Sequence, residues 1–190
     1  MSVPVLETAR LLVRPLTLDD LGAVYQLVDV DLADADFGSQ RPKARSEREA
    51  WLRWTVLNYE QLDKLYQPPY GERAITLRAT GQIIGLVGFV QSLGPWAQLA
   101  GYTAAAPQPH QRFTPAFGLY WAVAPAHQGQ GYATEAARAM LDYAFQHLGL
   151  QQVVATTSYD NLASQAVMRH LGLRLLKNAF PDPFWFQVVA

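Results

Sequence analysis

Residues Trp121-Ala-Val-Ala-Pro-Ala-His-Gln-Gly-Gln-Gly-Tyr-Ala-Thr-Glu-Ala136 carry a strand, a glycine turn and a helix start in immediate succession. The strand runs into Pro125. A loop follows, Gln128-Gly129-Gln130-Gly131-Tyr132-Ala133, and a helix opens directly after it. The first turn of a helix has backbone N–H groups without intrahelical partners, and the macrodipole adds roughly half a positive charge there. Gly129 and Gly131 lack Cβ, so the chain can approach a ligand closely or take positive φ. This arrangement suits a phosphate or pyrophosphate. Ala133, Ala136, Ala137, Met140, Leu141, Ala144, Phe145 and Leu148 recur at helical spacing and predict the buried face of that helix. Gly149 is its expected stop.

Two common phosphate motifs fit poorly. A P-loop needs a lysine on the phosphates, and no lysine lies between Lys64 and Lys177. A dinucleotide fingerprint needs a third glycine, and Thr134 stands in its place.

Gln128-x-x-Gly131-x-Ala133 resembles the pyrophosphate loop of the GNAT superfamily of acetyl-CoA-dependent N-acetyltransferases. Pro125 and Gly131-Tyr-Ala-Thr-Glu-Ala136 match its flanks. Asn161-Leu-Ala-Ser164 followed by Met168-Arg-His-Leu-Gly172-Leu173 resembles a second segment of that family. The opening Leu6-Glu-Thr-Ala-Arg-Leu-Leu-Val-Arg-Pro15 is similar to the first strand of its ribosomal-protein N-terminal (alanine/serine) branch. The resemblance extends over about residues 5–190. It implies one α/β domain, residues 1–190, with a mixed, splayed central sheet flanked by helices. It also implies acetyl-CoA as cosubstrate and a primary amine as acceptor, on a small molecule or a protein N-terminus. In that family the pantetheine arm lies where two strands splay. The backbone of Trp121, Ala122 and Val123 would pair with it. Amides of Gln128, Gly129, Gln130, Gly131, Tyr132, Ala133 and Thr134 would take the pyrophosphate. Asn161 would hold the pantetheine, and Ser164 would donate to the leaving thiolate. Asn161 and Ser164 also read as helix caps.

The sequence departs from the family at two positions. Gly118 stands where the branch often carries a glutamate, and Met168 where many relatives carry a tyrosine acid. Tyr120, which shares a strand face with Gly118 by period 2, is one candidate base and also reads as an ordinary core or surface residue. Glu72 and His110 are further candidate bases, and each also reads as an ordinary core or surface residue. Glu135 is expected to favour the helix dipole, and His127 to face solvent. A non-catalytic acyl-CoA-binding module is the competing reading, and a purely structural protein a third.

Composition supports this frame. The 190 residues are 50% hydrophobic and 16% charged, enough for a sizeable core, with net charge −1. No basic run interleaves with aromatics, so no nucleic-acid partner is expected. The four histidines lack metal-ligand spacing. The absence of cysteine excludes disulfides, thiolate–metal sites and a cysteine nucleophile, and fits a reducing compartment. No signal pattern and no apolar run of ~18 residues occurs, so a cytoplasmic protein without membrane contact is expected. A homodimer is compatible with the apolar C-terminal strand, although core is the simpler use.

Outside the loop, one strand is expected over Glu7–Arg14, and a helix after the cap Thr17-Leu-Asp-Asp20. Four aspartates in Asp29–Asp36 read as a solvated turn or as an acidic lip for cationic acceptors. Ser46-Glu-Arg-Glu49 predicts a capping box, with Trp51, Trp54, Leu57 and Leu62 on the core face or in a substrate groove. Ala74–Leu77 and Ile83–Val90 form a hairpin across Ala79-Thr-Gly81-Gln82. Residues 92–112 read as a strand extension plus a loop. Strands are expected at Thr114–Val123, Gln152–Thr157, Leu173–Leu176 and Phe184–Val189, with a helix at Ala163–Leu171.

Overall fold

The computed structural model describes residues 3–33, 43–68, 70–102, 113–179 and 187–190. His110, residues 103–112 of the loose 92–112 segment and the start of the Phe184–Val189 strand lie outside them. The chain divides into two compact units, Met1–Gly88 with Trp121–Leu148, and Phe89–Tyr120 with Gly149–Ala190.

In the first unit the expected strand Glu7–Arg14 is two, β1 (Leu6–Glu7) and β2 (Leu11–Pro15), paired antiparallel with Leu6 opposite Val13. Thr8 interrupts it. Its hydroxyl accepts from the Leu11 amide at 2.9 Å, and its own amide donates to Leu11 O at 3.0 Å. Local side-chain bonding beats the alternation and makes Thr8–Arg10 a turn. β2 runs antiparallel to β3 (Gly71–Leu77), with Leu11 opposite Leu77. β3 turns into β4 (Ile83–Gly94) through Gly81, whose φ is +74 and whose amide donates to Leu77 O. The β3–β4 hairpin is as the sequence predicts.

Between β2 and β3 lie the helices. Asp20 accepts from the Thr17 amide at 2.8 Å, closing the expected cap, and takes two bonds from Arg14. A 3-10 turn (Leu18–Asp20) leads into α1 (Leu21–Tyr25), which widens into a π segment, Gln26–Asp31. α2 (Arg45–Lys64) starts earlier than predicted. Ala44 is its N-cap, and Glu47 accepts from the Ala44 amide at 3.0 Å, so Ser46 lies inside the first turn. Its buried positions are Arg48, Leu52, Thr55 and Leu62, while Trp54 and Leu57 are exposed at 58% and 52%. Trp54 and Leu57 therefore face outward, Trp51 is half-buried, and the inner side carries Leu62 together with an arginine. That arginine binds buried Asp29 through two bonds of 2.7 and 2.9 Å. Asp29 is thus neither solvated nor a lip residue, and Asp34 and Asp36 lie outside the described residues.

α3 (Tyr132–Asp142) packs on β1 and β2. Ala136, Ala137, Met140, Leu141 and Ala144 are buried as predicted, but Phe145 is exposed and Tyr143 is buried in its stead. The π turn over Tyr143–His147, with Leu148 N bonding Tyr143 O, carries Phe145 off that face, whereas Tyr143, seven residues after Ala136, lies on it by ordinary helical spacing. One extra residue in the turn rotates the following side chains off the 3.6 register. Gly149 takes φ +66, as a helix stop requires.

In the second unit β5 (Thr114–Val123), which ends in the first unit, pairs in parallel with β6 (Val153–Val154), Phe117 opposite Val153 and Gly118 opposite Val154. The pairing ends there. Ala155 instead exchanges two bonds with Ala190, at 2.8 and 2.9 Å. The expected Gln152–Thr157 strand is therefore broken into β6 and β7 (Thr156–Thr157). β7, β8 (Leu176–Lys177) and β9 (Val188–Val189) make a small sheet in the order β7-β9-β8. α4 (Leu162–His170) fills the predicted helix position. Trp96, Leu99, Val154 and Val189 form the core of this unit, which settles Val188–Val189 as core.

Candidate functional site

The glycine loop belongs to the first unit and is built from β5 outward. Ala124 N donates to Ile84 O at 2.8 Å, anchoring the end of the strand to β4. Pro125–His127 make one 3-10 turn. Gln128 turns its side-chain amide back onto Val123 O at 2.8 Å, and Gln130 does the same to Ala126 O at 3.1 Å. The two glutamines brace the loop from within. Gly129 and Gly131 have φ of +71 and +80, where side chains are strained. A Cβ on Gly129 would meet nothing within 4 Å, so packing does not require glycine there. The backbone conformation does.

The amides of Gly129 through Thr134 donate to no other described residue, and the next, Glu135 N, bonds Gly131 O at 3.0 Å. They form a donor cluster at the start of an eleven-residue α-helix, the polarity that favours an anion. A diphosphate fits this donor set.

The sequence reading missed what surrounds the loop. Glu135 is more than a dipole partner. It accepts from Thr8 Oγ1 at 2.6 Å, from the Arg10 amide at 2.9 Å and from Arg10 Nε at 2.6 Å. Burial alone would raise its pKa, but these bonds outweigh it and hold the carboxyl below its ordinary range. Arg10 also donates from Nη1 to Gln130 O at 3.0 Å and lies 4.3 Å over the Tyr132 ring. Only the break in the N-terminal strand places Arg10 here, and strand periodicity gives no sign of it. His127 is half-buried, edge-on to Tyr132 at 6.2 Å.

Among the described residues no strand pairs with Trp121–Val123 on the β6 side, since the β5–β6 register stops at Gly118.

Glu72 is the second residue of β3 in the first unit. Burial pushes its carboxyl above the ordinary range, and among the described residues it has no ion-pair partner. The Tyr59 hydroxyl donates to the Glu72 carbonyl and accepts from Leu16 N at 3.2 Å. Burial pushes that phenol up to about 12, so it stays protonated and acts as a structural donor.

The second unit carries the remaining candidates. Asn161 Oδ1 accepts from Ser164 N at 3.0 Å, so Asn161 caps α4 and fixes the backbone of Ser164. The cap uses one oxygen and leaves the asparagine amide nitrogen as a donor. Ser164 is half-buried, and its Oγ bonds no other described residue. Met168 is fully buried and supplies no acid. A Cβ on Gly118 would lie 3.2 Å from Val90 Cγ2, so this place is closely packed. Tyr120 is half-buried on β5. Among the described residues no group of His, Asp and Glu could hold a metal ion, and no helix is long and apolar enough to cross a membrane.

Residues 10–174 match the family model described as the acetyltransferase (GNAT) domain. The uncharacterized N-acetyltransferase YnaD of Bacillus subtilis is 41% identical over 58 residues, 30% of this chain and 34% of that protein. The FsC-acetyl coenzyme A-N(2)-transacetylase of Aspergillus fumigatus is 38% identical over 96 residues, 50% of this chain and 40% of that protein. The matched part of the chain thus spans well under half the length of either relative. The crystal structure of an acetyltransferase from Agrobacterium tumefaciens matches with a TM-score of 0.66 at 28% identity, over 100% of this chain and 94% of that one. The ribosomal-protein-S5-alanine acetyltransferase of Vibrio fischeri shares the fold, with a TM-score of 0.69 at 17% identity over 98% and 94% of the two chains.

Proposed function

The chain belongs to the GNAT acetyltransferase family, and on that premise we propose that it moves an acetyl group from acetyl-CoA to a primary amine in the cytoplasm. The observation that carries this reading is the run of unpartnered amides from Gly129 to Thr134 at the start of α3. A diphosphate accepts from them, and the unpaired edge at Trp121–Val123 lines up the pantetheine amides as an added strand.

Acetyl transfer forms a C–N bond and breaks a C–S bond. The amine must lose a proton and the departing thiolate must gain one. The thioester is already activated, so positioning supplies much of the rate. Ser164 Oγ is the donor proposed for the thiolate, and Asn161 orients both Ser164 and the pantetheine. Tyr120 is the proposed relay for the proton leaving the amine.

The acceptor class follows from Gly118. That strand carries no carboxylate to strip an ammonium, so acceptors with a large neutral fraction are favoured. An α-amine near pKa 8 supplies far more neutral form at pH 7 than a lysine near 10.4. A protein N-terminus or a small molecule with such an amine is the proposed acceptor.

Gly118 and the buried Met168 favour one second reading, a binding module without turnover. A broad panel of amines incubated with acetyl-CoA, read by mass spectrometry beside calorimetric coenzyme A affinity, separates the two. Acetylated α-amines are the expected product. Tight coenzyme binding with no acetylated amine leaves only the binding module.

A further inference from the structure

Resting on the reading of the glycine loop as a diphosphate cradle, we propose that Arg10 is a positioning residue for the coenzyme, holding the Gln130–Gly131 peptide and cancelling the Glu135 charge beside the loop. Three contacts point to this. The first is the bond from Arg10 Nη1 to Gln130 O at 3.0 Å. In a trans peptide the C=O and the following N–H point in opposite directions. Holding the Gln130 carbonyl toward Arg10 therefore aims the Gly131 amide away from it, as a donor. Glycine at 129 and 131 gives this peptide freedom to flip, and a flipped peptide would present a carbonyl to the anion.

The second contact is the ion pair with Glu135 at 2.6 Å. Glu135 lies in the first turn of α3, beside the amides that would meet the diphosphate. An uncompensated carboxylate there repels a second anion. Thr8 Oγ1 and the Arg10 amide also donate to it, so the carboxylate stays fixed and ionised. Arg10 supplies the compensating charge.

The third is the cation–π contact that places the guanidinium 4.3 Å over the Tyr132 ring, at the start of the helix. A Cβ on Gly131 would lie 3.5 Å from Arg10 Nη2, so the arginine flanks the turn closely. Lysine would keep the charge but lose the fork that reaches Glu135 and Gln130 together.

The test is calorimetric binding of coenzyme A, and of pantetheine, which lacks the diphosphate. Arg10→Ala is expected to weaken coenzyme A binding about tenfold or more relative to pantetheine. Arg10→Lys should fall between Arg10→Ala and the parent. Adding Glu135→Gln to Arg10→Ala should restore part of the loss by removing the uncompensated charge, a rescue that a merely structural role does not produce. If Arg10→Ala unfolds, the Arg10→Lys and Arg10→Gln/Glu135→Gln proteins carry the same comparison. A parent protein that prefers coenzyme A, with Arg10 variants that keep the full preference or show no rescue, overturns the inference alone. A parent protein that binds both ligands equally overturns the loop reading itself.

Discussion

Ser164 and Asn161 are bonded neighbours with separable work. A hydroxyl beside the sulfur matters most when the sulfur carries negative charge, so it acts on the transition state rather than on coenzyme binding. Ser164→Ala should lower kcat while leaving coenzyme affinity nearly unchanged. Equal losses in both would mark Ser164 as a binding residue. Asn161→Ala removes an N-cap, which costs about 1 kcal/mol of stability. It should lower Tm and coenzyme affinity before it lowers kcat, and steady-state kinetics beside a thermal melt will read both. The glycines of the loop were legible because glycine takes positive φ far more readily than any other residue. Arg10 was not, because its role needs Glu135 and Gln130, more than a hundred residues away in the chain.

Elements were read best where one periodicity governs the whole of them. The strand Thr114–Val123 appears with its predicted bounds, and α4 within a residue of its own. The misreadings arise where a local bond, a changed helical register or a buried ion pair competes with the pattern. Thr8 breaks the first strand, the π turn at Tyr143–His147 takes Phe145 off the buried face, and α2 buries Arg48 while exposing Trp54. The last case has an energetic consequence. Arg48 and Asp29 are almost fully buried, and removing one partner strands the other charge. Arg48→Met should destabilise the protein by about 3–5 kcal/mol in denaturant unfolding. Burial would raise the pKa of Asp29, but bonds from Arg48 and the Lys43 amide outweigh it and hold it low. A depressed folded-state pKa gives stability that is present above the unfolded value of about 3.9 and is lost as pH falls through the folded one. The gap between parent and Arg48→Met should therefore be full near neutrality and shrink in acid. A gap that does not change below that range would show that the ion pair is not its source.

At the scale of the whole protein, rate and binding report different claims. Without a carboxylate at position 118, kcat/KM should rise with pH up to the acceptor's own pKa, and should follow that pKa when the acceptor is changed. A profile with a base near ~6–7 that ignores the acceptor would indicate a general base instead. Glu72, raised by burial, is the first position to mutate in that event. The central claim is that the loop amides hold the coenzyme, and Gly131→Val tests it most directly. Valine is strained at φ +80, and its side chain grows toward Arg10 and the donor cluster. In calorimetric titration with acetyl-CoA, the folded variant should bind well over tenfold more weakly, a loss of about 1.4 kcal/mol or more. Unchanged affinity in a Gly131→Val protein with intact circular dichroism would contradict the account.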